Sequence, residues 1–273
     1  MRLVPFTAHF GAEIHDYDLT RVGDDIAAAH LRKLLAEKFV LVFRGQSLTP
    51  DAHVRLGHVF GALAPRHPLY DHVPGHEPIM IIRNDKDHPP ENEVWHSDLS
   101  CKAHPPAVSI LHGVTLPPSG GDTLWCNMHA VHDALSAPMR QFLGGLTAVH
   151  DFQTGFAYVR DRKEERVAVL DQVEREANRT RHPIVKPHPK TGRPLIYVNE
   201  SFTSHIHELP EHEGRPILRM LFDMVKNASF QIRLRWEPGT VVMWDNMATQ
   251  HFAVGDHYPQ VREMHRVTVL PAA

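Results

Sequence analysis

The residues with the clearest chemistry are a histidine and an aspartate two positions apart. His96 and Asp98 lie in the stretch Glu-Asn-Glu-Val-Trp-His-Ser-Asp at residues 91–98. Alternate side chains of an extended chain point to the same side, so both can reach one metal ion. The chain has 23 histidines, and only His96 has a carboxylate two residues downstream. This spacing makes the pair the first candidate for a metal site.

A third ligand has to come from elsewhere in the chain, because two ligands hold a catalytic metal poorly. The best candidate is His251, at the end of the stretch Trp-Asp-Asn-Met-Ala-Thr-Gln-His, and it is followed by Arg262 and Arg266. Two imidazoles and one carboxylate on one face of a metal leave the other positions open, which is typical of non-haem Fe(II) oxygenases. The sequence thus predicts an iron site made by His96, Asp98 and His251.

Composition narrows the class of protein. The 273 residues are 42% hydrophobic and 22% charged, as in an ordinary soluble globular protein. No apolar run approaches the ~20 residues that cross a bilayer, and no basic block could follow a phosphate backbone, so neither membrane nor nucleic acid is an expected partner. The N-terminal residues lack a signal-peptide pattern, and Cys101 and Cys126 are too few for a disulfide framework. We expect a cytoplasmic protein with free thiols.

Short apolar runs between turn signals predict many short strands and a few helices. We expect helices at 24–39, 49–60, 128–143 and 210–225. We expect strands at 40–43, 79–83, 108–112, 122–125, 195–198, 230–236, 241–244 and 263–270, after one or two short strands within 3–19. Residues 61–78 are predicted to be a loop and 150–158 irregular, while the charged segment 161–180 is predicted to be an exposed helix or mobile lid.

These elements predict one domain over residues 1–273 that is mainly β with flanking helices, a double-stranded β-helix or jelly roll. The two sheets of a jelly roll face each other, so ligands that are far apart in sequence converge in its mouth. His251 follows a buried strand and a polar turn, and the spacing of Arg262 and Arg266 returns the chain to the same end of a sheet. The fold therefore accounts for a site built from both halves of the chain.

Several motifs occur together along nearly the whole chain. They are Trp95-His-Ser-Asp98, Gly120-Gly-Asp-Thr-Leu-Trp125, His188-Pro, Tyr197-Val-Asn-Glu200, Trp244-Asp-Asn246, Thr249-Gln-His251 and Arg262-x-x-x-Arg266. In this combination the chain resembles the Fe(II)/2-oxoglutarate-dependent dioxygenases that include the taurine and aryloxyalkanoate dioxygenases. The resemblance implies Fe(II) on His96, Asp98 and His251, with 2-oxoglutarate as cosubstrate and O2 as oxidant.

The resemblance also implies binding roles for residues outside the iron site. Arg262 and Thr123 hold the far carboxylate of 2-oxoglutarate, for which a planar guanidinium offers two parallel donors. The substrate, a small organic anion, is bound by residues that match those around taurine in the taurine dioxygenases of the family, with Arg266 and His67 on the sulfonate. These substrate residues are His67, Tyr70, Asn92, Phe156 and Arg266.

The match is closest to the taurine dioxygenases, with two departures at the amine end of the substrate. Glu91 stands where those enzymes have an aspartate, and Gly155 where they have a serine. The expected substrate is therefore taurine or a related alkyl sulfonate, with alkyl sulfate esters and aryloxyalkanoates as alternatives. Hydroxylation of taurine at the carbon bearing sulfur gives an unstable product that releases sulfite, while 2-oxoglutarate becomes succinate and CO2.

Two other classes of protein could use the same three metal ligands. A zinc hydrolase would add a metal-bound water, but it would not explain the pairing of Arg262 with Thr123. A non-catalytic jelly roll would keep the anion pocket and show no turnover. The family resemblance further implies a homo-oligomer, either a dimer or a tetramer.

Overall fold

A computed structural model describes residues 1–22, 25–91, 93–156 and 179–272. The predicted substrate residue Asn92 and the predicted lid up to residue 178 lie outside these ranges. The last two residues of the predicted lid, Arg179 and Thr180, begin a strand.

The described residues form strands β1 to β16 and helices α1 to α5. In chain order the strands are β1 (Arg2–Pro5), β2 (Ala12–His15), β3 (Val40–Phe43), β4 (Asp71–Val73), β5 (His76–Asn84), β6 (Val108–Thr115), β7 (Thr123–Asn127), β8 (Thr147–Asp151), β9 (Arg179–Pro183), β10 (Val185–Pro187), β11 (Pro194–Ile196), β12 (Thr203–Ile206), β13 (Gln231–Leu234), β14 (Val241–Asp245), β15 (Thr249–Ala253) and β16 (Arg262–Val269). The helices are α1 (Asp25–Lys38), α2 (Pro50–His58), α3 (Met128–Ala134), α4 (Ala137–Leu143) and α5 (Glu211–Val225).

Two facing sheets give the jelly roll that the sequence predicts. The larger sheet has the strand order β1-β2-β3-β14-β6-β16-β5-β4, and the smaller has the order β13-β7-β15. Neighbouring strands run antiparallel, except that β2 and β3 are parallel. A further sheet, β12-β8-β9, and the pair β10-β11 complete the β structure of the described residues. Strands from both ends of the chain therefore meet in one sheet.

Apolar side chains fill the space between the two facing sheets. Trp125 of β7 packs edge to face against Trp244 of β14, with ring centroids 5.8 Å apart, and both rings are buried. The outer face of the larger sheet is covered by α1 and α2, whose buried leucines include Leu31 and Leu56. The strands are thus held by close packing on both faces of the larger sheet, which suits a site built on them.

The helix predicted at 128–143 is wrong as one element, because α3 ends at Ala134 and α4 begins at Ala137. Leu135 adopts an extended conformation, and the Ser136 hydroxyl caps α4 by accepting from the Met139 amide. Pro138 near the start of α4 has no amide proton to continue the preceding helix. The Ser136 cap and Pro138 therefore divide into two helices a segment whose apolar spacing predicts one.

The loop predicted at 61–78 contains a hairpin that the sequence reading missed. β4 and the start of β5 pair antiparallel across Pro74 and Gly75, and Gly75 has φ of +77°. Proline followed by glycine is the pattern of a tight turn. The region predicted as irregular at 150–158 likewise begins with the last two residues of β8, since Asp151 pairs with Arg179.

Candidate active site

Backbone pairing places the two predicted histidine ligands side by side. The His96 amide donates to the His251 carbonyl at 3.1 Å, and the His251 amide donates to the His96 carbonyl at 2.8 Å. Residues that exchange both hydrogen bonds across antiparallel strands carry their side chains on one face. The two imidazole centroids are accordingly 4.1 Å apart.

The predicted carboxylate ligand completes a compact group. Asp98 Oδ1 lies 3.9 Å from Nε2 of His96 and 3.9 Å from Nε2 of His251. One ligand atom from each of the three residues lies within 4.8 Å of the others, and all three residues are buried. The structure therefore brings His96, Asp98 and His251 together as the sequence predicts, and their spacing would let them share one metal ion.

The protonation states of the three residues suit a divalent cation. Burial lowers the pKa of both His96 and His251, so both rings are neutral at pH 7. The Val94 carbonyl lies 2.8 Å from Nδ1 of His96 and fixes the proton on that nitrogen, which leaves the lone pair on Nε2. Burial alone would raise the pKa of Asp98, but the charge of Arg266 lowers it below its ordinary value. The group therefore presents two neutral nitrogens and one anionic oxygen.

Buried polar residues that the sequence reading gave no role hold Asp98 in place. Asn246 accepts from the Asp98 amide at 2.8 Å and donates to the Asp98 carbonyl at 3.0 Å, so it clamps the backbone on both sides. Ser109 donates to Asp98 Oδ2 at 2.8 Å, which leaves Oδ1 facing the histidines. Asn246 belongs to a quoted motif, whereas nothing in the sequence near Ser109 marks it, because the contact depends on strand β6 lying beside the turn.

A second buried clamp sets the turn between β14 and β15. His188 Nε2 lies 3.0 Å from Asp245 Oδ2, and Asp245 Oδ1 accepts from the amides of Met247 and Ala248. This turn delivers the chain to His251 two residues into β15. The His188-Pro and Trp244-Asp-Asn246 motifs therefore position the third ligand through hydrogen bonds.

Arg262 has the environment of an anion-binding residue. It is 4% exposed, and its Nε donates to the Gly121 carbonyl at 3.1 Å, while an amino group lies 3.5 Å from Thr123 Oγ1. Burial lowers its pKa to about 10, so it stays charged at pH 7. No carboxylate among the described residues lies within 4.0 Å of its nitrogens. A buried, charged guanidinium that has no carboxylate partner among the described residues is suited to bind an anion.

Arg266 has a different partner from the substrate anion that the sequence suggested. Its Nη1 donates to Asp98 Oδ1 at 2.8 Å, the oxygen that also faces both histidines. Arg262, Met264 and Arg266 alternate along β16, so all three face the interior of the jelly roll. The two arginines therefore lie at the same cavity, one beside the metal ligands and one farther along the strand.

A cavity of about 110 Å³ joins the metal ligands to the two arginines. His67, Tyr70 and Phe156, all predicted to bind substrate, line it together with Thr123, as do Leu99, Leu111, Phe202, Trp244 and Met264. Burial lowers the pKa of His67 to about 3, and its Nδ1 accepts from the Leu69 amide at 3.3 Å. The proton of the neutral ring is therefore on Nε2, where it can be donated to an anion.

Glu91 does not line this cavity. It borders a neighbouring cavity of about 290 Å³, which shares Tyr70 and Arg262 with the first. Asp98 is the one carboxylate that the described residues contribute to the smaller cavity, and it is already paired with Arg266. Most of the other described residues that line this cavity are apolar or aromatic.

Gly155 allows an aromatic ring to approach the chain more closely than any side chain would permit. A Cβ atom built at Gly155 would lie 2.2 Å from Cε1 and 2.5 Å from Cδ1 of Phe202. Phe202 also packs against Phe156, with centroids 6.0 Å apart, and Phe156 stacks on Phe152 at 4.4 Å. The absence of a side chain at 155 thus lets Phe202 form part of the cavity wall.

The donor set and the buried guanidinium fit iron and 2-oxoglutarate. Two imidazoles and a carboxylate leave open coordination positions, as a cosubstrate that binds the metal requires. Arg262 supplies an unmatched buried charge at the same cavity for a second carboxylate. A jelly roll with this site defines the class of Fe(II)/2-oxoglutarate-dependent dioxygenases, which oxidise organic substrates with O2.

Comparison with known proteins gives the same class and a family within it. The model of the taurine catabolism dioxygenase TauD, TfdA family matches residues 2–268, and the chain belongs to this family. A taurine dioxygenase structure from Burkholderia xenovorans superposes with a TM-score of 0.84 at 35% identity, covering 99% of this chain and 89% of the other.

Two relatives illustrate the range of substrates in the family. An alpha-ketoglutarate-dependent sulfonate dioxygenase of Saccharomyces cerevisiae is 32% identical over 98% of this chain, which spans 66% of the relative's length. An alkylsulfatase of Acinetobacter baylyi is 29% identical over 98% of this chain and 84% of its own length. The relatives therefore act on organic sulfur anions of more than one kind.

Proposed function

We propose that this protein hydroxylates a small organic anion of the sulfonate or sulfate-ester type, with taurine as the first candidate substrate. The observation that carries the proposal is the cavity in which His96, Asp98 and His251 lie next to a buried Arg262 without a carboxylate partner among the described residues. A zinc hydrolase would have no use for that second cation. The relatives' sulfonate and sulfate activities support the same substrate class.

Each group of residues at the cavity has a separate role in the proposed reaction. Iron, 2-oxoglutarate and O2 together supply the oxidation of a C–H bond to C–OH, with succinate and CO2 as the other products. His96, Asp98 and His251 hold the metal, and Arg262 with Thr123 orients the far carboxylate of 2-oxoglutarate by charge-assisted hydrogen bonds. His67 donates Nε2–H to the substrate anion. The hydrogen bonds of Asn246 to the Asp98 backbone keep this ligand in place.

Arg266 would bind the substrate anion while it remains beside Asp98. Its second amino group lies 3.5 Å from Met80 Sδ, a weak acceptor that a substrate oxygen could replace. A sulfonate or sulfate has three or more acceptor oxygens, so it can accept from Arg266 and His67 together. This arrangement places the carbon next to sulfur close to the metal ligands.

Assays of succinate and sulfite test the proposal. The Fe(II)-loaded protein is incubated with 2-oxoglutarate, O2 and either taurine, longer alkyl sulfonates, alkyl sulfates or aryloxyacetates, with His96→Ala as the inactive control. Sulfite matching succinate with any sulfonate supports the proposal. Metal-dependent hydrolysis without consumption of 2-oxoglutarate would contradict it in favour of a hydrolase, and ligand binding without turnover would favour a non-catalytic jelly roll.

The aromatic wall favours a second candidate within the same class, an alkyl sulfonate or alkyl sulfate with an apolar carbon chain. Phe156 and Phe202 line the cavity, and Glu91 borders the neighbouring cavity instead, so the described residues offer an ammonium group no carboxylate there besides the paired Asp98. Aromatic surface stabilises apolar groups by burial, at roughly 25 cal/mol per Å². A ratio of kcat/KM that favours pentanesulfonate over taurine would support this candidate.

We also propose that residues 1–273 form a single dioxygenase domain that works as a dimer or tetramer in the cytoplasm. The family match over residues 2–268 and a sheet that contains both β1 and β16 support one domain. Free, buried Cys101 and Cys126 are in keeping with a reducing compartment. No helix among the described residues is long and apolar enough to span a membrane. Light scattering on the purified protein tests the oligomeric state.

A further inference from the structure

A network of buried hydrogen bonds begins two residues after the metal ligand Asp98. Ser100 is fully buried, and its Oγ accepts from Asn199 Nδ2 at 2.8 Å. The same Oγ lies 2.9 Å from Nδ1 of His150, whose side chain is also fully buried. These residues come from three separate parts of the chain, so the network joins elements that the sequence does not connect.

Ser100 connects the side chains of Asn199 and His150. Asn199 Nδ2 can only donate, so Ser100 Oγ accepts from it, and the same hydroxyl forms a second hydrogen bond with His150 Nδ1. Burial lowers the pKa of His150 to about 3, so the ring is neutral. His150 Nε2 lies 3.4 Å from Thr203 Oγ1, which also accepts from the Asn199 amide at 3.0 Å. Ser100 is the member that links both other side chains.

The far end of the network holds a residue of the cavity wall. Asn199 Oδ1 accepts from the Phe202 amide at 2.9 Å, and the Phe202 carbonyl accepts from the Asp151 amide at 2.8 Å. The Phe202 ring lines the cavity that contains the metal ligands. A path of two hydrogen bonds, from Ser100 to Asn199 and on to Phe202, therefore connects the Asp98 turn to the aromatic wall.

The near end of the network stabilises a strained turn. Leu99, between Asp98 and Ser100, has φ of +46°, a left-handed conformation that costs a non-glycine residue about 1 kcal/mol or more. Its side chain lines the same cavity. Such a conformation persists only where the surroundings hold it, and the buried bonds of Ser100 do so on one side, while Asn246 holds Asp98 on the other.

We propose that Ser100 is a positioning residue. It keeps the predicted metal ligand Asp98 and the cavity-lining ring of Phe202 at a fixed distance from each other. The proposal rests on the proposed function, in which Phe202 contacts the substrate. Each productive turnover converts 2-oxoglutarate, O2 and a substrate C–H into succinate, CO2 and C–OH, so the C–H has to be held at a fixed place relative to the metal. Ser100 touches neither substrate nor metal and acts through Asn199.

The first test measures amide hydrogen exchange around Phe202 in the metal-free protein and does not depend on enzyme activity. In Ser100→Ala, Asn199 loses its acceptor, so amide hydrogen exchange in peptides that cover residues 199–203 should become at least about tenfold faster. Ser97→Ala is the matched control, because Ser97 is also buried and lies three residues before Ser100. Its hydroxyl donates to the Thr249 carbonyl at 2.8 Å and not to Asn199. Equal acceleration in both variants, or none in Ser100→Ala, would overturn the proposal.

The second test measures coupling, the ratio of hydroxylated product to succinate. We expect Ser100→Ala to lower this ratio at least about threefold, since small misplacements of a reacting group reduce rates strongly. Ser100→Thr keeps the hydroxyl and should restore the ratio, and Ser97→Ala should keep it. A merely structural role would lower both products in parallel. Failure of the wild-type protein to form succinate would contradict the proposed function, whereas the exchange test alone decides the link from Ser100 to Phe202.

If Ser100→Ala does not fold, Ser100→Cys replaces it in both tests. A thiol has nearly the size of the hydroxymethyl group and forms weaker hydrogen bonds. The same changes in exchange and coupling are then expected with smaller magnitude, about threefold in exchange. Ser100→Thr should leave exchange unchanged, whereas unchanged exchange at residues 199–203 in Ser100→Cys would overturn the proposal.

Discussion

Arg266 and Asp98 form a largely buried ion pair in which Nη1 lies 2.8 Å from Oδ1, the carboxylate oxygen that faces both His96 and His251. A metal bound by the three ligands would therefore meet a carboxylate that already has a cationic partner. The pair keeps Asp98 ionised in the metal-free chain, because Arg266 lowers its pKa against the opposing effect of burial. We therefore expect Arg266 to affect metal binding as well as substrate binding.

Replacement of Arg266 by glutamine should destabilise the metal-free protein and increase its response to metal. Loss of one partner of a buried ion pair costs about 3 kcal/mol or more, because the other charge is left uncompensated. Bound Mn(II) would then supply the missing positive charge, so the rise in Tm on adding Mn(II) should be larger for Arg266→Gln than for the wild type. Calorimetry with and without Mn(II) checks this, and an equal or smaller rise would contradict it.

Replacement of Arg262 by lysine should weaken 2-oxoglutarate binding with little effect on metal binding. Lysine keeps the charge but loses the planar pair of donors, and hydrogen bonds to charged groups contribute about 1.5–3 kcal/mol. The KM for 2-oxoglutarate should therefore rise by roughly 10- to 100-fold. Arg233→Lys is the control, since Arg233 is half-exposed and pairs with Asp122 at the surface. A similar rise in both variants would count against a cosubstrate role.

Replacement of Gly155 by serine should displace Phe202 and change substrate preference. The added Cβ would lie 2.2 Å from the Phe202 ring, so either the ring or the backbone has to move. We expect kcat/KM for alkyl sulfonates with apolar chains to fall at least about tenfold, with a smaller effect on taurine. Adding Phe202→Leu, which makes room for the serine, should recover part of the stability lost in Gly155→Ser, as measured by Tm. Additive losses of stability would show that the two positions are not coupled.

Acid should destabilise the metal-free protein, partly through buried histidines outside the metal site. Burial lowers the pKa of His53 to about 3, and its side chain is 1% exposed. The unfolded chain binds a proton on this residue below pH 6.5 and the folded chain does not, so its contribution to stability is present above pH 6.5 and is lost as the pH falls towards 3.

The loss amounts to about 1.4 kcal/mol per pH unit for each such histidine. Urea unfolding of the metal-free protein between pH 6.5 and 5 measures it as the slope of the unfolding free energy against pH. His53→Gln removes the contribution of His53 and should lower the slope by about 1.4 kcal/mol per pH unit. Replacement of the exposed His9 by glutamine should leave the slope unchanged. An unchanged slope in His53→Gln would show that His53 is protonated in the folded state.

The three candidate metal ligands and the class of fold could be predicted from the sequence alone. His96 and Asp98 are marked by a spacing that occurs once in the chain, and His251 with Arg262 follows from motifs that lie close together in sequence. Short apolar runs between turn signals indicated the many strands, since both depend on local sequence. A resemblance over nearly the whole chain added Thr123 and the substrate residues.

The contacts between side chains from distant parts of the chain could be known only from the fold. The pairing of Arg266 with Asp98 joins β16 to the turn after His96, and the network from Ser100 to Phe202 joins three separate stretches. No sequence period encodes these contacts, because they depend on the register between strands and on the packing of buried groups. The close approach of Phe202 to Gly155 is of the same kind: the sequence shows a missing side chain, and the fold shows which ring occupies its place.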